Sequence, residues 1–547
     1  MEIKKEVHLS KAGTLEQNIT KNEKMSVTHL KVSGNINIKD FRVLEDMCDS
    51  WWEYDEDENC IIDESEPPFL KVLDLGDCLI EDGYNMQSFA YKSKLKEIVL
   101  PKNLTILGGE LEGAFEENPF LTKVILPNSL REIDNSAFMG CDKLQDINFP
   151  ESLECIESFA FSGCSSLKAV KIPANVSGIG SNAFGHCYGL EKFDLDERNP
   201  YFSVIDGVLF NKEQTKLIAF PCGHKNRNYV VPDSVKIIES GSFAGSKIET
   251  IVFSPSLETM GAWSFEGCDR LKELVIPNSI TEIGELAFRW CRNLKKVRLP
   301  NKLSILKEQT FSSCDSLREV EIPPSVKKIE STALGWAKNL ERLIFHDGLE
   351  EFNDDLKFTK LKKLYIPKTV RKIASGLAIY ADSKLNNFEF EVDQKNPYFC
   401  SIGGSVYSKD KPRLVKAFLN RNKKFVVPHG VQTIEQMVFA YLNLEEIELP
   451  DTLITLEDRC FDGCNLKKIR LPKSLTSMDF FTFWHCEKIK KIEVLATKPP
   501  KIRNLPHSAG RLITGDSKNA ILYVPKESLE KYKKATGWKD VKRIEGI

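Results

Sequence analysis

Residues 121–143 read LTKVILPNSLREIDNSAFMGCDK, residues 144–166 read LQDINFPESLECIESFAFSGCSS, and residues 167–189 read LKAVKIPANVSGIGSNAFGHCYG. The three segments match position by position. Pro127, Pro150 and Pro173 fall in steps of 23 residues. The same punctuation returns further on. Pro255, Pro277, Pro300 and Pro323 are spaced by 22, 23 and 23, and Pro428, Pro450 and Pro472 by 22. A fixed period in the low twenties is the mark of a solenoid, in which each unit buries its apolar side only against its neighbours.

Among repeat classes this length is that of the leucine-rich repeat. The unit reads roughly L-x-x-I-x-L-P-x-S-L-x-x-I-x-x-x-A-F-x-G-C-x-x. Its first part alternates and predicts a short strand, which the proline closes because it has no N–H for the next ladder bond. The second apolar pair, Leu130 and Ile133 in the first segment, predicts the return run, and A-F-x-G-C predicts the turn back. The phenylalanine recurs as Phe115, Phe138, Phe161, Phe184, Phe243, Phe265, Phe288, Phe311, Phe439, Phe461 and Phe483. Stacked coils place equal positions about 4.8 Å apart, so one continuous Phe spine is expected. It accounts for 32 Phe against 13 Tyr and 7 Trp. A parallel column holds Cys141, Cys164, Cys187, Cys268, Cys291, Cys314, Cys464 and Cys486. Cysteines set by a repeat read as small buried packing residues, not as a disulfide framework.

The array is expected to span 69–494, with an N-terminal cap over 1–68 and a C-terminal cap over 495–547. Two insertions interrupt it, NPYFSVIDGVLFNKEQTKLIAFP at 199–221 and NPYFCSIGGSVYSKDKPRLVKAF at 396–418. Each reads as a β-hairpin, Val208–Phe210 with Leu217–Phe220 and Val406–Tyr407 with Leu414–Phe418, on one side of the solenoid. The N-terminal cap contains a strand-like run from Val27 to Val32 and a helix over Lys39–Trp51. The C-terminal cap has a strand Ile521–Val524 and a short helix in which Leu529 and Tyr532 share a face and Gly537 is the stop.

The composition agrees with a folded repeat protein, 41% hydrophobic and 28% charged over 547 residues. A formal charge of −3 gives no reason to expect nucleic acid as a partner. No apolar run is long enough for a transmembrane segment. Met1–Leu15 is charged and lacks the apolar stretch of a signal peptide, which fits either a cytosolic protein or a mature form whose export signal has been removed. With 15 Cys, at least one is unpaired.

Taken with KAGTLEQNI (Lys11–Ile19), LKVLDLGDC (Leu70–Cys78), both NPYF insertions and the tail LYVPKESLEKYKKATGWKDVKRI, the repeat resembles the BspA-like leucine-rich-repeat proteins of Bacteroidetes and related anaerobes. The resemblance covers nearly the whole chain. It implies a cell-surface or secreted protein, in a family some of whose members adhere to host proteins or to other bacteria. It brings no catalytic residue. Leu334 in place of Phe, His346 in place of the strand-ending Pro, and the less regular stretch 349–381 depart from the pattern.

Alternation assigns the residues flanking the central apolar position of each strand to the outer sheet face. Candidate ligand-binding residues there are Lys296, Arg298, Glu319, Glu321, Arg342, Lys363, Tyr365, Glu446, Glu448, Lys468 and Arg470, with Val252, Val275 and Ile344 as apolar contacts. Lys296/Arg298 precede Glu319/Glu321 by one coil, and Glu446/Glu448 precede Lys468/Arg470. Such neighbours read either as cross-strand ion pairs that hold register or as a patterned face for a charged protein or glycan. The acidic loop Asp55–Glu66 matches an EF-hand at Asp55, Asp57, Asn59, Asp63 and Glu66, but Cys60 stands where the loop needs Gly and Pro67 and Pro68 block an exit helix. No metal site is assigned on it. His186–Cys187 and His485–Cys486 read as turn residues. With no P-loop, GxSxG, HExxH or paired zinc CxxC, neither a catalytic residue nor a cofactor is expected. The expected function is a non-catalytic binding scaffold that recognises an extracellular protein or glycan. The alternatives are a structural component of the cell surface and an intracellular interaction scaffold.

Overall fold

Each repeat closes one coil with two short parallel strands. In the coil that starts at Leu121, Lys123–Ile125 lies on one side and Glu132–Ile133 on the other. Between them the N–H of Leu130 donates to the carbonyl of Pro127 at 3.2 Å. Leu153 and Pro150, Leu453 and Pro450, and Leu475 and Pro472 repeat this bond. Proline therefore closes the strand and opens the turn with its one remaining polar group, the carbonyl. Successive coils align in register, Glu97 with Lys123, Ile98 with Val124 and Val99 with Ile125. Val124 is buried while Lys123 and Ile125 face outward. The computed structural model describes residues 2–48, 52–54, 60–62, 69–81, 89–90, 94–108, 113–354, 356, 359–374, 389–419, 423–504 and 520–547. The acidic loop Asp55–Glu66 falls almost wholly outside them, and no side chain in it is described.

The A-F-x-G-C turn visits the left-handed region twice. The first site is the residue before A-F, with Ser136, Asn182 and Leu286 at φ of 54°, 56° and 56°. The second is the glycine itself, Gly140 and Gly163 at 72° and 81°. Glycine suits this site because a Cβ is crowded there. The turns also bond coil to coil: Phe115, Phe138 and Phe161 donate their N–H groups to the carbonyls of Ala137, Ala160 and Ala183.

The Phe column stacks, but in runs. Phe89, Phe115, Phe138, Phe161 and Phe184 follow one another with centroids 5.8, 5.5, 5.1 and 5.4 Å apart. Phe220, Phe243, Phe265 and Phe288 form a second run at 4.8, 4.7 and 5.1 Å, and Phe439, Phe461 and Phe483 a third at 5.4 and 5.8 Å. The expected unbroken spine is thus corrected. At Leu334 a buried leucine takes the place of the ring. At the first insertion Phe184 turns its neighbourly contact to Phe193, edge-on at 5.2 Å.

The eight column cysteines are buried and free. They do more than fill space. The thiols of Cys141, Cys164, Cys187 and Cys464 each donate to the carbonyl of the Phe one coil earlier, at 3.0 to 3.2 Å. Asn118 holds the same position and its amide donates to the Phe89 carbonyl at 2.6 Å. The site therefore selects a small donor.

Both insertions contain the expected hairpins, each preceded by one more strand. Phe202–Ile205, Val208–Asn211 and Lys216–Ala219 form an antiparallel meander. Its first turn, Asp206–Gly207, has φ of 49° and 80°, the two positive values of a tight hairpin. Lys216–Ala219 then pairs parallel with Ile237–Ile238 and so rejoins the array. Phe399–Ile402, Ser405–Ser408 and Arg413–Lys416 repeat the arrangement, the last pairing parallel with Thr433–Ile434.

The chain divides into two units, Met1–Lys272 with Ile283–Cys291, and Glu273–Glu282 with Arg292–Ile547. The first begins with the parallel strands Lys4–Leu9, His29–Ile36 and Val72–Ile80, backed by the helix Ile38–Cys48. Buried Asp40 ties that cap together, accepting from the N–H groups of Gly13, Leu15 and Asn37. The second unit ends with Lys491–Val494, Ile521–Val524 and Ile544–Gly546 in parallel and the helix Leu529–Lys534. There the Tyr532 hydroxyl donates to the Ala496 carbonyl at 2.8 Å and the Trp538 indole to that of Pro500 at 2.7 Å.

Candidate functional site

The strands that carry the candidate residues lie in the second unit. Lys296–Arg298 pairs with Glu273–Val275, Glu319–Glu321 with Arg342–Ile344, Lys363–Ile366 with Glu389–Val392, and Glu446–Glu448 with Lys424–Val426. All eleven candidates, Lys296, Arg298, Glu319, Glu321, Arg342, Lys363, Tyr365, Glu446, Glu448, Lys468 and Arg470, are exposed. The cause is the strand period: Val320, Leu343, Leu364 and Ile469 between them point to the core.

Ion pairs form on this face, but with the neighbour on the other side. Glu319 pairs with Arg342 at 2.7 Å and Glu448 with Lys424 at 2.5 Å. Arg470 pairs with Glu493 at 3.2 Å, and Lys363 with Glu391 at 2.7 Å. Glu321 lies 2.8 Å from the His346 Nε2. Among the described residues Lys296, Arg298 and Lys468 make no ion pair or side-chain hydrogen bond. Arg298 stands opposite Val275, which is 64% exposed, and Lys296 opposite Glu273. Lys468 lines a concave basin of about 330 Å³ with Lys424, Glu446, Glu448, Arg470 and Glu493.

Tyr365 is held at both ends. Its ring sits on an in-register strand, and its hydroxyl donates to Asp393 at 2.5 Å. That bond, with partial burial, pushes the phenol up to about 12. Sequence reasoning missed Val426, 56% exposed on the same face. The V-V-P that ends each insertion was its signal.

His186 and His485, read as turn residues, do occupy turns, each in its own unit. Each takes the glycine position, at φ of 58° and 52°. The spacing of A-F-x-G-C carries the signal, since a ring appears where the backbone asks for glycine. Among the described residues no three His, Cys, Asp or Glu side chains are arranged to hold a metal ion, and no helix is long and apolar enough to cross a membrane.

Comparison with known proteins places this geometry. The model of the BspA type leucine rich repeat region matches in six copies, over 84–214, 214–341, 286–398 and 415–508. A leucine-rich repeat protein from Eubacterium ventriosum is 21% identical, over 57% of this chain and 83% of that one, with a TM-score of 0.50. One from Bacteroides ovatus is 22% identical, over 72% and 88%, with a TM-score of 0.41. A leucine rich cell surface protein from Faecalibacterium prausnitzii is 21% identical, over 68% and 80%, with a TM-score of 0.37. No curated protein matches the chain. At these identities the first of the structures shows the fold alone. Solenoids of this kind are typically non-catalytic interaction scaffolds. With the repeat model matching more than half its length, the chain belongs to the BspA type leucine-rich repeat family.

Proposed function

We propose that the protein is an exported, non-catalytic scaffold that binds a protein or glycan through the sheet face of its second unit. The observation that carries this reading is that Lys296 and Arg298 make no ion pair among the described residues, with Arg298 opposite exposed Val275 and Lys296 opposite Glu273 on strands locked in register. A face that only held its own register would satisfy its charges internally, as Arg342 and Lys363 do. Tyr365, fixed by Asp393, supplies a rigid aromatic anchor of the kind that carries much of the energy at interfaces. Because the strands are already ordered, polar contacts to them cost little further entropy. Family membership supports export, since the resemblance is to surface and secreted proteins.

A binding screen of the purified protein against extracellular-matrix proteins, mucins and glycans tests the reading. Two variants go with it, Lys296→Ala with Arg298→Ala, and Arg342→Ala with Lys363→Ala and Tyr365→Ala. A ligand bound by the wild type and lost in either variant supports the sheet face. No ligand at micromolar concentration, or retention by both variants of every ligand bound at micromolar concentration, overturns it.

A further inference from the structure

The glycine position of the turn carries a ring where glycine is the undemanding choice. His186, Trp290, Trp336, Tyr441 and His485 sit there with φ between 52° and 65°. A non-glycine residue in this region is strained, and Asn or Asp is the usual replacement. Other turns place Glu117 and Ser313 there with φ of 53° and 59°, so what marks the ring-bearing turns is what their rings gather around them.

Apart from Trp336, these rings form in each unit a polar cluster around a carboxylate. In the first unit the His186 ring lies over the next two glycines of the column. A methyl on Gly245 would stand 2.8 Å from His186 Nδ1 and one on Gly267 3.3 Å from its Cε1. The imidazole thereby reaches Glu266, with Nε2 to Oε2 at 3.7 Å, while the Tyr188 hydroxyl lies 3.3 Å from Nδ1. Arg289 pairs with the same carboxylate at 3.5 Å and stacks 3.8 Å over the Trp290 ring. In the second unit the Tyr441 ring covers Gly463, where a methyl would stand 2.5 Å from its Cδ1. Its hydroxyl lies 3.3 Å from His485 Nδ1, and buried Asp462 lies 2.8 Å from the same nitrogen. Trp484 meets His485 edge-on at 5.3 Å.

We propose that these two clusters are saccharide-binding subsites, one in each unit, each taking a neutral, hydroxyl-rich sugar against its rings and carboxylate. Three observations select that ligand. The local charges balance, Glu266 against Arg289 and Asp462 against Arg459, so neither an anion nor a cation is favoured. Phenol and imidazole groups both donate and accept, as sugar hydroxyls do, and Tyr188 and Tyr441 are 46% and 40% exposed, with ring surface open to the apolar C–H side of a sugar. The backbone is already engaged. Gly245 donates to Glu266, Gly267 to Arg289, Tyr441 to Asp462 and Gly463 to Trp484. An extended peptide, which binds through free strand hydrogen bonds, finds none at these residues.

Saturation-transfer NMR and calorimetry on the full chain, with maltoheptaose, cellohexaose, mannohexaose and lacto-N-tetraose at millimolar concentration, test the proposal. The combined variant carries Tyr188→Phe and Trp290→Ala in one unit and Tyr441→Phe and Asp462→Asn in the other. At least one of these probes should bind the wild type, and the combined variant should weaken it by about tenfold or more. Variants with only Tyr188→Phe and Tyr441→Phe, which keep every ring, should weaken it severalfold, so a loss through misfolding is separable. The sheet-face variants should bind as the wild type does. No binding by any probe, undiminished binding by the combined variant, or loss in the sheet-face variants instead overturns the proposal and leaves the sheet-face reading untouched.

Discussion

Asn199 uses the whole capacity of its amide. It donates to the carbonyls of Pro173 and Val176 at 2.8 and 2.9 Å and accepts from the N–H groups of Tyr201 and Phe202 at 2.8 and 3.0 Å. Asn396 makes the equivalent four bonds to Pro367, Val370, Tyr398 and Phe399. Both asparagines are fully buried, which explains why N-P-Y-F opens each insertion: no other side chain of that size both donates twice and accepts twice. Asn199→Ala leaves four backbone groups without a partner, at about 1–3 kcal/mol per group before relaxation. A net loss of about 3 kcal/mol is expected in a chemical melt, with faster amide exchange over Phe202–Ile205. A loss below about 1 kcal/mol would mean that water replaces the amide. The column thiols give a second prediction at this scale. Burial pushes those of Cys164, Cys187 and Cys464 well above their ordinary 9.0. The unfolded chain therefore loses these protons first as the pH rises. Their stabilising effect is complete below pH 9 and declines above it, by up to about 1.4 kcal/mol per pH unit per thiol. A melt series from pH 7 to about 10.5 should show that decline. Under native conditions at pH 7.5 alkylating reagents should leave the column unmodified.

Among elements, the Phe run is the clearest test of how coils cohere. Phe265 is fully buried between Phe243 and Phe288, so Phe265→Ala should cost about 3–5 kcal/mol, read as a lowered melting midpoint. Arg342→Ala makes the opposite case. Its partner Glu319 and its own side chain are about half exposed or more, so the change should alter stability by no more than about 0.5 kcal/mol. That near-neutrality keeps a loss of binding interpretable. The coil itself was legible because period, proline and Phe must recur wherever neighbours stack. Phe220 in the A-F-P-C-G of the first insertion was not legible as a member of that column, since the inserted meander removes it from the period. The partners of the face charges were hidden for another reason. Arg470 has a carboxylate on either side, Glu448 and Glu493, and only the side-chain conformations decide that it pairs with Glu493 while Glu448 turns to Lys424. The spacing of A-F-x-G-C shows the rings in the glycine position, but their clusters were hidden because the carboxylates they meet, Glu266 and Asp462, come from other coils.

For the whole molecule, the consequence of stacking is that stability is shared between neighbours and not concentrated in one core. Each coil gains from the two beside it, so an end needs a cover. In the second unit that cover is made by Tyr532 and Trp538, which meet edge-on at 5.2 Å and bond to the carbonyls of Ala496 and Pro500. Trp538→Ala removes a large buried side chain and leaves the Pro500 carbonyl without its donor. In a single cooperative core the damage would appear as one lower midpoint for every amide. In a stacked array it should instead fade with distance from the end. Hydrogen exchange should quicken most in Ile521–Val524, less in Lys491–Val494 and less again in Lys468–Leu471, while Lys123–Ile125 in the first unit keeps its protection. Uniform loss of protection across both units would show that the chain unfolds as one body, and the nearest-neighbour account would have to be abandoned.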